Sequence, residues 1–194
     1  MIFTATELTD VVLIGPERHV DERGFLARVF CESEFTRHGL ESRFVQASTV
    51  YTATAGTLRG LHYQRAPHAE VKLIRCTRGA AHVVVVDLRA ESPTRGRWIG
   101  VELNHIDGRL VYVPEGLAQG YQTLVDATEI AYQMSHEYAP AAARGIRWDD
   151  PAFGIEWPRT RSRLISERDR AWPDHLPARE WRANDSGRVP VRGT

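Results

Sequence analysis

Gly56-Thr57-Leu58-Arg59-Gly60-Leu61-His62-Tyr63-Gln64 is the stretch on which the reading of this chain turns. It reads as a short strand leaving a bend marked by Gly56. Side chains alternate faces along a strand, so Arg59 and His62, three apart, point to opposite sides if the strand is flat. Gly60 between them permits a twist or bulge that brings both to one cavity. A fixed guanidinium beside an imidazole, which exchanges protons near neutrality, suits an anionic substrate that undergoes proton transfer. Taken alone, the same pair also reads as a surface arginine and a satisfied core histidine, so the rest of the chain has to decide.

Downstream the pattern is β throughout. Strands are expected over residues 71–78, ended by Gly79, and over 81–88, where Val83-Val84-Val85-Val86 reads as a β-branched run buried on both faces. Further strands are expected over 98–103, 110–113, 121–125 and 128–134, separated by turn signals such as Ser92-Pro93-Thr94-Arg95-Gly96 and Pro114-Glu115-Gly116. Upstream lie an edge strand near Val11–Ile14, a turn at Asp21-Glu22-Arg23-Gly24, a strand over 25–30 and a short helix over 32–38 stopped by Gly39. Phe44-Val45-Gln46 then leads into a Thr/Ser/Ala-rich link to Gly56. Short strands with turns every ~8–12 residues indicate an all-β sandwich or barrel, whose open mouth holds ligands. Residues 1–183 read as one domain and 184–194 as a polar, frayed tail.

Lys plus Arg equals Asp plus Glu at 25 each, so no global field draws the chain to nucleic acid or anionic membrane. No basic segment with a following apolar run opens the chain, and no apolar stretch approaches the ~18 residues of a membrane span. Cys31 and Cys76 fit no metal spacing and read as buried free thiols, so a reducing cytoplasm is expected.

Three strand residues could carry chemistry. His62 can exchange a proton. Lys72, the only lysine, lies in an apolar strand and could steady an oxyanion. Tyr132 could act as a general acid from the other side of a substrate. Each also has a structural reading: a satisfied histidine, a snorkelling lysine, a core tyrosine with a wet tip. The remaining histidines form no two-His-plus-carboxylate spacing, so no metal is expected. Ser166-Glu167-Arg168-Asp169 reads first as a helix cap.

Together these stretches resemble the dTDP-4-dehydrorhamnose 3,5-epimerase family, from about residue 10 to about residue 170. The resemblance rests on Asp21-x-Arg23-Gly24-Phe25, the Gly56–Gln64 stretch, Lys72-Leu73-Ile74-Arg75-Cys76-Thr77-Arg78-Gly79, Val86-Asp87-Leu88-Arg89 and Ser92-Pro93-Thr94. It continues through Val113-Pro114-Glu115-Gly116, Tyr138-Ala139-Pro140 and Trp148-x-Asp150-Pro151-x-Phe153-Gly154-Ile155-x-Trp157. It implies a cupin-type jelly roll with short helices at the C-terminal end, and a metal-free, cofactor-free epimerase. The implied substrate is a nucleotide-linked 4-keto-6-deoxyhexose in rhamnose or deoxysugar biosynthesis. The resemblance makes His62 the base, Asp169 the carboxylate that orients it, Lys72 the support for the enolate oxygen and Tyr132 the acid on the opposite face. It gives Arg23 and Arg59 to the diphosphate, Tyr138 to the base, and Phe25, Gln46, Gln119 and Arg168 to substrate contact. It also implies a homodimer that exchanges strands and shares its sites.

The chain departs from the family pattern at both ends of the implied site. The family's Pro-x-Gly-Phe-Ala-His-Gly-Phe reads Pro114-Glu115-Gly116-Leu117-Ala118-Gln119-Gly120-Tyr121 here, so the usual His is Gln119. The usual Asp of the preceding strand is Val83. If these two positions face each other, their losses make sense as a pair. Two acidic positions read Arg28 and Ala143, and an Asp-Asn pair reads Ala47-Ser48. These departures keep two other readings open: a single-centre epimerase or keto-isomerase on another nucleotide sugar, and a sugar-nucleotide-binding cupin without turnover.

Overall fold

The valine run forms the middle of the molecule. Val83 and Val85 are buried on one side against Ile74, Val111 and Ile130, and Val84 and Val86 on the other against Ile146 and Phe153. A run with no polar face is stable only where apolar layers cover both sides of the sheet, and each buried valine contributes ~1.5–3 kcal/mol. The computed structural model describes residues 1–175. The domain boundary expected at 183 and the tail over 184–194 lie outside the described residues.

In chain order the strands begin with β1 (Ile2–Ala5), β2 (Val12–Gly15), β3 (Arg18–Asp21), β4 (Gly24–Ala27), β5 (Gln46–Thr52), β6 (Thr57–Gln64) and β7 (Lys72–Arg78). They continue with β8 (Ala80–Asp87), β9 (Trp98–Asn104), β10 (Leu110–Val113), β11 (Leu117–Thr123), β12 (Thr128–Met134), β13 (Ala143–Gly145) and β14 (Leu164–Ile165). Helix α1 spans Glu32–Arg37 and helix α2 spans Glu167–Arg170. The first sheet runs β1-β2-β10-β7-β12-β5, and the second runs β13-β6-β11-β8-β9 with β14 added on β6. From β5 to β8, and again from β9 to β12, each step crosses from one sheet to the other, so sequence neighbours are seldom ladder neighbours. This is the expected cupin-type jelly roll. Of the two helices among the described residues, α2 lies toward the C-terminal end, while α1 caps the outer face of the first sheet with buried Phe35.

The strand expected over 25–30 ends at Ala27, β3, β13 and β14 had no counterpart in the strand assignment made above, and two further details differ. The Thr/Ser/Ala-rich link after Gln46 is β5, an edge strand whose alternate residues Ala47, Thr49 and Tyr51 are exposed, so it carries no apolar face to mark it. β11 begins at Leu117, not at Tyr121, because Leu117 and Ala118 face opposite cores. Cys76 is buried, and burial pushes its thiol up to about 11. Cys31 is only half-buried, since it lies at the N-terminus of α1 near the surface.

The motif Val86–Arg89 closes one end of the sandwich. The fully buried Asp87 carboxylate accepts from Arg89, Ser92 and Thr94, and Arg89 also reaches Asp10 and the Thr9 carbonyl. Burial alone would raise the Asp87 pKa, but these donors outweigh it and hold the carboxyl below its ordinary range.

Candidate active site

The bulge expected at Gly60 is present. β6 pairs with β11 so that His62 faces Gln119 and Arg59 faces Tyr121. Between those pairs Gly60 and Leu61 together oppose the single residue Gly120. Gly60 has φ +119°, and a Cβ there would meet Gly120 Cα at 2.5 Å and the Gln119 carbonyl at 2.9 Å. Only glycine fits. The extra residue resets the alternation, so Arg59 and His62 line one cavity of about 250 Å³ between the sheets. Gln119 and Tyr121 line it from the same sheet; Lys72 and Tyr132 line it from β7 and β12 of the other.

His62 is held from behind by the C-terminal segment. β14 pairs in parallel with Thr57 and Leu58 and so delivers α2 to the middle of β6. Ser166 caps α2, its hydroxyl accepting from the Asp169 amide at 3.1 Å. The cap and the Asp169–His62 contact therefore coexist. Asp169 Oδ1 accepts from His62 Nε2 at 2.6 Å, and Oδ2 accepts from the Gly60 amide at 3.3 Å. Burial pushes the Asp169 pKa up, but the His62 hydrogen bond and charge, the Gly60 amide and Ser166 together hold the carboxyl below its ordinary range. An ionised carboxylate only accepts, so in the neutral ring Nε2 carries the hydrogen and Nδ1 keeps its lone pair. The Trp172 ring lies edge-on to the imidazole at 6.4 Å, in space left open by Gly145.

Lys72 does not snorkel. Its ammonium is buried against Glu70 at 2.6 Å, and Glu70 also accepts from the Gln64 amide at 3.1 Å. Sequence reading missed Glu70, although a carboxylate two residues from a lone strand lysine shares its face and was the available signal. A buried ammonium with a fixed counter-ion is pre-oriented and needs no solvent reorganisation to meet a new negative charge.

At the rim, two glutamines place Tyr138. Gln64 donates to the His68 and Glu137 carbonyls and accepts from the Ala139 amide at 2.6 Å, while Gln46 accepts from the Tyr138 amide at 2.8 Å. The Gln46 oxygen is thus already engaged with the chain itself. Tyr138 and Arg168 line the cavity, with Arg168 over the Trp172 ring, and Ala143 lines it next to Arg144. Arg23 and Phe25 do not line it. They lie on the exposed β3–β4 hairpin, which bonds to neither sheet. Arg28 pairs with Glu34 on the surface, and Ala47 and Ser48 line a recess on the outer side of the first sheet. Val83 lies opposite Tyr121, diagonal to Gln119 on the same face, so the two altered positions are neighbours in space. Among the described residues no cluster of three or more His, Cys, Asp or Glu could hold a metal ion.

Residues 5–176 match the sequence profile of dTDP-4-dehydrorhamnose 3,5-epimerase. The chain belongs to that epimerase family. It is 41% identical over 173 residues to the dTDP-4-dehydrorhamnose 3,5-epimerase of Sinorhizobium fredii, covering 89% of each chain. Among solved structures it is similar to the dTDP-4-dehydrorhamnose 3,5-epimerase of Bacillus anthracis, with TDP and pyrophosphate bound, at 38% identity and TM-score 0.85 over 89% of this chain and 98% of that one. It is also similar to ChmJ, a 3'-monoepimerase from Streptomyces bikiniensis in complex with dTDP-quinovose, at 33% identity and TM-score 0.81 over 87% of this chain and 85% of that one. As in the rest of the family, the protein is an isomerase of the epimerase type. Among the described residues no helix is long and apolar enough to cross a membrane.

Proposed function

We propose that this protein inverts carbon adjacent to the keto group of a nucleotide-linked 4-keto-6-deoxyhexose, of the dTDP-4-dehydro-6-deoxyglucose type, through an enolate. One observation carries the reading: the His62–Asp169 pair and the Tyr132 phenol line one cavity from opposite sheets, with the Lys72 ammonium also on its wall. His62 Nδ1 takes the proton from the carbon next to the ketone, with Asp169 holding the ring in the tautomer that can accept it. The electron pair moves into the carbonyl, and Lys72 steadies the resulting enolate oxygen. Tyr132 then delivers its phenolic proton to the opposite face, which inverts the carbon. The phenolate is reprotonated from solvent, and His62 loses its proton to solvent.

Arg59 and Arg168 supply charge for the diphosphate, and exposed Tyr138 offers a ring for the base. Arg23 and Phe25 would contact substrate only in an assembly. Among the described residues Val20, Phe25 and Leu26 are exposed on a hairpin that joins neither large sheet, which supports a homodimer in which this hairpin reaches the neighbouring subunit's cavity. A monomer by sedimentation at micromolar concentration would count against that assembly.

The catalytic reading is tested by mixing the protein in heavy water with dTDP-4-keto-6-deoxyglucose and following C3–H and C5–H by NMR. Loss of both signals is expected for two-centre epimerisation, and retention of both sinks the reading. A single-centre enzyme is the second reading, favoured by neutral Gln119 where the family pattern has His and by the likeness to a monoepimerase. Loss of one signal alone would establish it.

A further inference from the structure

Four buried side-chain polar atoms among the described residues have no hydrogen-bond partner: His82 Nε2, Trp172 Nε1, Gln119 Oε1 and the Tyr121 hydroxyl. His82 packs against Trp157 and Gly100, and Trp172 against Gly145, so both are enclosed by the fold. Gln119 and Tyr121 differ because both line the active-site cavity. They are two apart on β11 and point the same way, and the residues opposite them on β8, Val85 and Val83, offer no polar group. The Thr52 hydroxyl lies beside Tyr121 and favours its ionised form, but the two make no hydrogen bond of good geometry and nothing accepts the phenolic hydrogen. Burial pushes the Tyr121 pKa up, only partly opposed by the Arg59 charge and the Thr52 hydroxyl, so the phenol keeps its hydrogen. A buried acceptor and a buried O–H left open side by side are costly, and an apolar pair would fill the same space without that cost.

We propose that Gln119 and Tyr121 together determine specificity by reading one hydroxyl of the substrate sugar, which donates to Gln119 Oε1 and accepts from the Tyr121 O–H. This rests on the epimerase reading and names a recognition element within it. The strand register says which hydroxyl. Gln119 lies opposite His62, where the proton is removed, and Tyr121 lies opposite Arg59, on the diphosphate side. The hydroxyl read is the one between the reacting carbon and the phosphate-bearing carbon, at C2. Neither partner titrates near neutrality, so this recognition is independent of pH there.

The test uses the full chain, its Tyr121→Phe and Gln119→Leu variants, dTDP-4-keto-6-deoxyglucose and the 2-deoxy form of that compound, with deuterium wash-in followed at both C3 and C5. Two neutral hydrogen bonds predict a wild-type preference of about 5- to 150-fold in kcat/KM for the hydroxylated compound. Each variant should reduce that preference by up to about tenfold, and ligand-free Tyr121→Phe should melt about 2 °C higher because an open polar group is gone. Equal losses on both compounds, or an unchanged preference, overturn the proposal, as does a lower melting temperature with the preference intact. If the wild type exchanges neither compound, the epimerase reading fails on its own. The same ratios taken as Kd by calorimetry then decide the hydroxyl pair, with equal affinities for both compounds, or no binding of either, refuting it.

Discussion

Replacing Asp169 with Asn changes one oxygen into an amide and should stop His62 from acting as a base. Asp169 has two accepting oxygens, and both are used: one by His62 Nε2 at 2.6 Å and one by the Gly60 amide at 3.3 Å. Asparagine has a single accepting oxygen. If that oxygen faces His62, the NH2 group is pushed against the Gly60 N–H, donor against donor. If it faces Gly60, the NH2 group points at Nε2, which then accepts, and the ring proton moves to Nδ1, where the substrate proton was to go. Either way a charge-assisted hydrogen bond of ~1.5–3 kcal/mol is lost, which corresponds to a fall of about 10- to 150-fold in kcat. The assay is the rate of C3–H and C5–H exchange in heavy water at saturating substrate, with His62→Asn as the reference for no base. Because the Asp169 pKa is lowered in the folded state, its ionisation stabilises the fold above the carboxyl's unfolded value near ~3.9. That contribution is lost as pH falls through the lower folded value. The wild type should therefore melt above Asp169→Asn at pH 7, and the gap should close in acid. An Asp169→Asn enzyme within threefold of wild-type kcat would refute the assignment of Asp169 as the orienting group.

Further outcomes follow from the same geometry. Tyr132→Phe removes the proton donor but not the base, so deuterium should still enter substrate with retained configuration while inverted product falls by about 10²- to 10⁴-fold; equal loss of wash-in and product would show that Tyr132 does not act as the acid. Lys72→Met leaves the buried Glu70 carboxylate without its counter-ion and should cost ~3–5 kcal/mol in denaturant unfolding. Adding Glu70→Gln should recover most of that stability and none of the activity, and recovery of both would exclude an enolate role for Lys72. Gly60→Ala forces a side chain onto backbone at φ +119°, and ~1–3 kcal/mol of strain implies a drop of roughly 2–12 °C in Tm. A melting temperature within 1 °C of wild type would mean that the bulge tolerates a Cβ.

What the sequence determined by itself is what depends on local pattern and on motif order. The valine run, the turn signals and the strands at 110–113 and 128–134 are legible because alternation and turn chemistry act over a few residues. The strand β5 was hidden because an edge strand needs no apolar pattern. The glycine at 60 announced a bulge, but only the pairing with β11 shows that two residues oppose Gly120 and that Arg59 and His62 thereby share a cavity. Likewise the meeting of His62 with Asp169, 107 residues apart, depends on β14 docking beside β6, a contact without a local signal. Glu70 beside Lys72, the use of Gln46 to hold Tyr138, and the open hydroxyl of Tyr121 were all decided by packing. Residue types say which charges and hydrogen bonds are available, and the tertiary structure says which of them are already spent on the fold and which remain for a ligand.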